Sequence, residues 1–146
     1  MDELDLKIIA ILQSDGRASN ARIARDAGVS EGTVRRRLKR LIDEEYISVV
    51  AMLDPKKMGF TAEALIGVKA DPNMIDQIAA DIAELNDVSW VAVTTGSYDI
   101  FAWATLASSE TLGTFLRTKI GMIPGVRRTE TFVNLAAKKR GYGAPF

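Results

Sequence analysis

The sequence predicts an α+β protein in which a small helical domain precedes a domain of alternating strands and helices. The first 45 residues contain three stretches with apolar residues at helical spacing, separated by turn residues. Residues 62–137 then follow the order βαββαβ, and Pro55 and Gly59 mark a break before them. We therefore expect a first domain at 1–53, a linker at 54–61 and a second domain at 62–146.

The composition excludes several classes of protein. The chain has 146 residues, of which 47% are hydrophobic and 26% charged, as is typical of a folded globular protein. It contains no Cys and no His, so it lacks a thiol nucleophile, a disulfide framework and the usual general base near neutral pH. We expect no catalytic residue, no metal site and no cofactor.

The ends and the charge balance of the chain bear on its location and partners. No apolar run approaches the ~20 residues that a membrane helix needs. The N-terminus, MDELDLK, lacks the basic-then-apolar order of a signal peptide. We expect a cytoplasmic protein with no membrane partner. Because 19 Lys and Arg balance 19 Asp and Glu, any attraction to nucleic acid must be local.

The first helices are predicted by their capping residues as well as by their periodicity. Three acids occupy the first turn of the first helix, where the helix dipole favours negative charge: Asp2, Glu3 and Asp5. A second helix fits residues 19–27, with Ser19 as its N-cap. Gly28 can adopt a positive φ at a sharp turn, and Ser30 can cap a third helix that runs to about residue 45.

The third helix concentrates positive charge. Five of the eight residues 34–41, VRRRLKRL, are cationic. The apolar residues form one stripe, and four residues lie roughly opposite it with Thr33 beside them: Gly32, Arg36, Lys39 and Arg40. Arg35 and Arg37 flank the stripe. A solvent-exposed charged face is one explanation for a basic helix. Such a face usually mixes positive and negative residues, which then form i,i+4 ion pairs, whereas here only Glu31 interrupts the cations before Asp43.

The preceding helix and the glycine turn make this segment a helix-turn-helix, whose second helix enters the major groove of DNA. We predict double-stranded DNA as the partner and expect Arg36 or Arg40 to reach a base edge or a phosphate. The predicted DNA-contacting residues are Ser30, Gly32, Thr33, Arg36, Arg37, Lys39 and Arg40.

The remaining elements are strands and helices. Residues 47–55 predict a strand that ends at Pro55. Further strands are predicted at 62–70, 88–96, 98–107 and 126–137, and helices at 73–85 and 109–123, the last capped by Ser108 or Ser109. The order βαββαβ forms an antiparallel four-stranded sheet with both helices on one face.

The second face of this sheet is too apolar for contact with water. In the strand YDIFAWATLA, both alternating faces are largely apolar: Phe101, Trp103 and Thr105 point one way, and the residues between them point the other way. Trp90 lies on the neighbouring strand, and an aromatic patch of this extent is unusual in a soluble monomer. We expect a homodimer in which Trp90 or Trp103 lies in or beside the sheet-to-sheet interface.

The sequence as a whole resembles the leucine-responsive and asparagine-responsive (Lrp/AsnC) transcription regulators. The resemblance is carried by the early LD, the QSDGR loop, Ala24, Gly28 and Ser30, the arginine pairs, and LDPKKMGF. It implies a winged helix-turn-helix followed by a ferredoxin-like ligand-sensing domain, and dimers that assemble further, often into rings of eight. One departure is Tyr46, where family members usually have Gly in an EEGxI turn.

The stretch TTGSYDI, residues 94–100, is the predicted effector site. The N–H groups of Gly96 and Ser97 can bind a carboxylate, and Asp99 can accept a hydrogen bond from an ammonium group. The residues alone also fit a plain hairpin turn in which Asp99 satisfies local N–H groups. The family carries a Gly-x-Tyr/Phe-Asp stretch here that lines an amino-acid pocket between dimers, and Gly96, Tyr98 and Asp99 match it, whereas Ser97 departs from a frequent Asp.

The resemblance also implies that the last strand tunes the ligand response, through residues 132–134, although Phe132 fits an ordinary core position equally well. The predicted effector-binding residues are Thr95, Gly96, Ser97, Tyr98, Asp99, Phe132 and Asn134.

Three classes of function remain to be weighed. The first is a transcription regulator whose assembly or DNA affinity responds to an amino acid, and the second is an architectural DNA-binding protein without an effector. The third is an enzyme: sirohaem decarboxylases resemble this fold, but their chemistry relies on histidines, which this chain lacks. We predict the regulator.

Overall fold

The computed structural model describes residues 1–139, which divide into two compact units: residues 1–52 and a unit that begins at Leu53. The first unit contains the helices α1 (Glu3–Ser14), α2 (Asn20–Ala27) and α3 (Glu31–Asp43). The second unit contains a four-stranded sheet with its helices. Within residues 1–139, no helix is long and apolar enough to cross a membrane.

Each helix of the first unit begins at a capping side chain. Asp2 accepts a hydrogen bond from the N–H of Asp5, whose own side chain accepts from the N–H of Asp2. Ser19 and Ser30 cap α2 and α3, as predicted. The three helices enclose a core of fully buried side chains, namely Ile8, Ile23, Val34 and Leu41.

Two helices of this unit end in the same backbone geometry. Gly28 has φ 73° after α2, as the sequence predicts. After α3, Glu45 has φ 59°, and the N–H groups of Glu45 and Tyr46 donate to the carbonyls of Ile42 and Leu41. This is the hydrogen-bond pattern that usually ends in glycine. The left-handed residue at this turn is therefore Glu45, the residue before Tyr46.

The strand predicted at 47–55 does not form. Residues 47–53 have no regular secondary structure, and Val50, in the middle of this apolar stretch, is 68% exposed. A strand needs a second strand to satisfy its N–H and C=O groups, and no described strand pairs with this segment. The wing of the predicted winged helix-turn-helix is thus not formed within the described part of one chain.

The second unit has the predicted βαββαβ order. Its elements are β1 (Ala62–Ala70), α4 (Ile75–Ala83), β2 (Val88–Val93), β3 (Ile100–Leu106), α5 (Ser109–Thr118), a short 3-10 helix (Ile120–Met122) and β4 (Val126–Val133). Ser108 caps α5. The strands are antiparallel and lie in the order β2-β3-β1-β4. The α+β fold class is confirmed.

Both helices cover the same face of the sheet. The alternate residues of β1 and β3 that point toward this face are buried, as are the inward residues of the helices, among them Ile66, Val68, Ile100, Leu106, Ile78, Ile82, Leu112 and Phe115. On the opposite face, Trp90 pairs with Trp103 across β2 and β3, and Trp90 is 51% exposed. The predicted apolar second face is confirmed for the single chain.

Candidate functional site

The N-terminus of α3 presents small polar groups to solvent. The hydroxyl of Ser30 accepts a hydrogen bond from the N–H of Thr33, and the two side-chain hydroxyls lie 2.9 Å apart. Gly32 beside them is exposed. The first turn of the helix therefore allows close approach of another molecule, as a helix that enters a DNA groove requires.

The cations of α3 differ in how they are paired. Arg35 pairs with Glu31 and Lys39 pairs with Asp43, each one helical turn away on the exposed surface. Such exposed pairs are weak and exchange readily. Arg36 is exposed and has no ion pair among residues 1–139. Arg36 is thus the cation of this helix that is free to meet a partner without breaking an existing contact.

Arg37 and Arg40 do not point outward with Arg36. Arg37 Nη1 lies 2.6 Å from Asp2 Oδ2 and 3.2 Å from Asp5 Oδ1, and Arg40 Nη2 lies 2.6 Å from Asp5 Oδ2. Asp5 is 0% exposed, at the start of α1. Both guanidinium groups therefore turn back toward α1, contrary to the outward orientation predicted for Arg40, because a long side chain can reach a buried carboxylate beside the helix.

Contacts within the cluster of Asp2, Asp5, Arg37 and Arg40 shift the pKa values of Asp2 and Arg37. The N–H of Asp5 and the guanidinium of Arg37 lower the pKa of Asp2 below its ordinary value of 3.8. The hydrogen bond to Asp2 raises the pKa of Arg37. Asp2 and Arg37 therefore keep their charges at neutral pH, and the cluster is an ionic contact between α1 and α3.

The predicted effector turn is a tight connection between β2 and β3. The N–H of Thr94 donates to the carbonyl of Asp99 at 2.8 Å, and the Thr94 hydroxyl donates to the carbonyl of Tyr98 at 3.0 Å. Gly96 has φ 108°, a conformation that a β-branched residue tolerates poorly. Thr95, Gly96 and Ser97 are exposed, so the tip of the turn is accessible.

Asp99 holds the turn to β1. Its Oδ2 accepts from the N–H of Ala70 at 2.9 Å, and its Oδ1 lies 2.9 Å from Lys69 Nζ. Because β3 begins at Ile100, opposite Val68, the N–H of Ala70 has no partner in the β3 backbone. These contacts lower the pKa of Asp99, the N–H of Ala70 first and Lys69 second. Asp99 therefore has the structural role that the sequence left open as an alternative, and within one chain its carboxylate is occupied.

Tyr98 covers the second face of the sheet. Its ring lies over Gly67, where an added Cβ would come within 2.8 Å of the ring. The ring meets Phe101 edge-on at 5.5 Å and Phe132 at 6.4 Å between centroids. Phe132 is 46% exposed, so it lies on this open face and not in the core. Tyr98 and Phe132 are brought together as the predicted site requires.

Asn134 lies away from the turn. Its N–H donates to the carbonyl of Glu63 at 2.8 Å, near the start of β1, whereas Asp99 contacts the end of that strand. Glu63 and Lys69 are six residues apart in β1, which corresponds to about 20 Å. Within one chain, Asn134 and Asp99 therefore do not line a common pocket. A groove of about 310 Å³ in this unit lies elsewhere, beside Leu53, Met58 and Phe60.

Sequence reasoning missed the partners of the predicted residues. The helix dipole accounts for acids in the first turn of α1, but Asp5 lies on the inner side of this helix, and a buried acid there also signals a cation partner. Gly67 in the middle of a strand is a recognisable signal of close approach by another group, here Tyr98. Lys69 carried no signal that distinguished it from other surface lysines.

Comparison with known proteins covers both units. Residues 1–42 match the profile of the AsnC-type helix-turn-helix domain, and residues 63–143 match the Lrp/AsnC ligand binding domain. The chain is 41% identical to an uncharacterised HTH-type transcriptional regulator of Pyrococcus furiosus, over 100% of this chain and 99% of that one. It is 36% identical to the HTH-type transcriptional regulator Ptr1 of Methanocaldococcus jannaschii, over 99% of each.

Solved structures show the same fold. E. coli AsnC has a TM-score of 0.90 at 26% sequence identity, with 99% of each chain covered. A transcriptional regulator of Neisseria meningitidis, solved as a complex with L-Met, has a TM-score of 0.91 at 24% identity, covering 99% of this chain and 96% of that one. At this identity the second comparison bears on the fold alone.

Proposed function

Because the chain belongs to the Lrp/AsnC family of transcription regulators, which are not enzymes, we propose that it binds operator DNA sequence-specifically in the cytoplasm and responds to an amino acid. The observation that carries the DNA part is the division of α3 into two faces. Val34 and Leu41 are fully buried, whereas Arg36 and the capped first turn face solvent. A helix held in this way can enter the major groove without unfolding the domain.

The proposed DNA contacts follow from exposure. Arg36 reads a base edge or holds a phosphate, Lys39 holds a phosphate, and the first turn of α3, with Ser30, Gly32 and Thr33, approaches the backbone. Arg37 and Arg40, which the sequence also predicts to contact DNA, are held by Asp2 and Asp5 at the start of α1.

A second copy of the chain completes the proposed regulator. The sheet face that carries Trp90, Trp103 and Phe132 is open in the single chain, as is the apolar stretch at 47–53. Two copies related by a two-fold axis would cover the sheet face and place two α3 helices on neighbouring half-sites, about one turn of DNA apart or a multiple of it. We also propose that these dimers assemble further, up to an octamer.

The proposed effector site is the turn at Thr95, Gly96 and Ser97 together with the Tyr98 ring and Phe132. Support comes from the turn's N–H groups: those of Gly96 and Ser97 donate no hydrogen bond within residues 1–139. They are therefore available to a carboxylate. Asp99 is engaged by Lys69 and by the N–H of Ala70. The α-ammonium group of an effector would therefore donate either to an acceptor on a neighbouring copy or to Asp99 after that residue exchanges partners.

The proposal is tested by a thermal-shift screen of the proteinogenic amino acids, followed by DNA binding with and without the best hit. A ligand at a hundredfold its Kd adds about 2.7 kcal/mol to the stability of the folded state. Its coupling to DNA binding should be about 1–3 kcal/mol and reciprocal. A protein that binds no amino acid and prefers no DNA sequence would instead be an architectural DNA-binding protein without an effector.

A further inference from the structure

The contact between α1 and α3 divides the cations of the recognition helix into two sets. Arg37 and Arg40 pair with a carboxylate that solvent does not touch, although the Arg40 side chain itself is 41% exposed, while Arg35, Arg36 and Lys39 are exposed and make no contact with that carboxylate. The acids involved lie more than thirty residues earlier in the chain, with sequence separations of 32 and 35 between Asp5 and the two arginines. The ionic contact is therefore a feature of the folded domain and not of α3 itself.

We infer that Asp5 is a positioning residue for DNA recognition: its carboxylate holds Arg37 and Arg40 against α1, so that α3 meets DNA through Arg36 with Arg35 and Lys39 beside it. The inference rests on the DNA-binding function of the family. The inference predicts which individual cations of α3 contribute to DNA affinity. A count of the cations in the helix does not distinguish them.

Burial explains why the two arginines stay in place. Arg40 donates to Asp5 at 2.6 Å, and its Nε atom is itself buried without a hydrogen-bond partner. If Arg40 turned toward a phosphate, Asp5 would lose its shortest ionic contact while still buried and would keep only the longer contact to Arg37, which is unfavourable for a buried charge. Arg37 is held by two carboxylates at once, Asp2 and Asp5. Arg36 has no such contact to lose.

The same contact holds one side of α3 against the start of α1. Arg37 and Arg40 are three residues apart and lie on one side of the helix, and both reach the first turn of α1. With Val34 and Leu41 buried on the adjacent side, this contact directs Arg36 away from the domain. Asp5 therefore affects DNA binding without contacting DNA. It does so by determining how α3 is oriented and which of its cations are available to phosphates and bases.

The experiment measures the affinity for a fluorescein-labelled mixed-sequence duplex as a function of salt concentration. The slope of log K against log salt changes by about 0.9 for each phosphate contact. In Asp5→Asn, which keeps the shape of the cap, Arg37 and Arg40 are released, and the slope should become steeper by about 0.9 to 1.8. From about 50 to 200 mM salt, this is roughly a 3-fold greater loss of affinity for each released cation.

Glu3→Gln is the matched control, because it removes the same charge from the same turn of α1, but Glu3 is exposed and pairs with Lys7. Its slope should equal that of the wild-type protein. In the double variant Asp5→Asn/Arg40→Gln, the slope should return toward the wild-type value, which a merely structural role of Asp5 would not produce. An unchanged slope in folded Asp5→Asn overturns the inference, as does an equal change in Glu3→Gln.

A second pair of variants decides the question if Asp5→Asn fails to fold. Arg40→Gln keeps a donor for Asp5 and should leave the slope unchanged, whereas Arg36→Gln should reduce its magnitude by about 0.9. Equal reductions in the two variants would show that Arg40 contacts DNA and would overturn the inference. No salt-dependent binding by the wild-type protein would contradict the DNA-binding function itself, and the inference with it.

Discussion

Arg36 is the residue of α3 on which the proposed sequence specificity depends. It is exposed, it lies opposite the buried stripe of the helix, and it has no ion pair among residues 1–139. An arginine in this position can donate two hydrogen bonds to the major-groove edge of guanine. A neighbouring cation such as Lys39 is a point charge that suits a phosphate.

We expect Arg36→Ala to weaken binding to the preferred DNA sequence by about 1–3 kcal/mol and to relax specificity at one base pair. Lys39→Ala should weaken binding to all sequences alike and flatten the salt dependence. Selection of binding sites from a random library with each variant, followed by gel-shift titration, measures both effects. Wild-type affinity and sequence preference in folded Arg36→Ala would contradict the assignment.

Glu45 is strained in the backbone. Its φ of 59° lies in the left-handed region, which costs a residue with a Cβ atom more than it costs glycine. We expect Glu45→Gly to stabilise the helical unit by about 0.5–1 kcal/mol. Glu44→Gly is the matched control, since Glu44 has φ −90°, and it should be neutral or destabilising. Urea unfolding followed by circular dichroism measures both, and equal effects of the two substitutions would refute this explanation.

At the scale of elements, the β2–β3 turn is joined to the end of β1 by Asp99. The contact replaces a missing backbone hydrogen bond, because β3 starts too late to reach the N–H of Ala70. It also places the Tyr98 ring over Gly67 and beside Phe132. The shape of the proposed effector site therefore depends on a carboxylate for which the sequence leaves open both an effector-binding and a structural role.

The contact of Asp99 should make stability depend on pH. Its pKa is lowered below 3.8 in the folded state, so the stability that it contributes is fully present above that value and is lost as the pH falls through the folded pKa. We expect Asp99→Asn to be less stable than the wild-type protein at about pH 7, and the difference to shrink as the pH falls below 3.8. Urea unfolding followed by tryptophan fluorescence reports this unit, which contains both tryptophans. A difference that stays constant with pH would show that charge on Asp99 is not the cause.

At the scale of the whole molecule, one face of the sheet is covered by α4 and α5, and the other is left with aromatic side chains in solvent. We expect Trp90→Glu to weaken assembly, because it places a charge in the face that a second copy would bury. Light scattering at micromolar concentration should show a lower mass than for the wild-type protein. Ala80→Glu, on the exposed side of α4, is the control and should assemble normally. A monomeric, soluble wild-type protein would contradict the proposed dimer.

The sequence by itself determined the features that depend on neighbours in the chain. Ser19 and Ser30 cap helices, Gly28 takes a positive φ, and the alternation from Ile100 to Leu106 separates a buried face from an open one. Each follows from local backbone geometry or from the period of a helix or strand, so a short stretch of residues suffices to predict it.

Only the tertiary structure decided which distant groups meet. Arg40 turns to Asp5, 35 residues away, and Asp99 turns to Ala70 because of where β3 pairs with β1. The strand predicted at 47–55 failed for the same reason, since its hydrogen bonds need a partner that periodicity cannot supply. The partner of a charged or polar group depends on packing and strand register, and these are properties of the whole fold rather than of any segment.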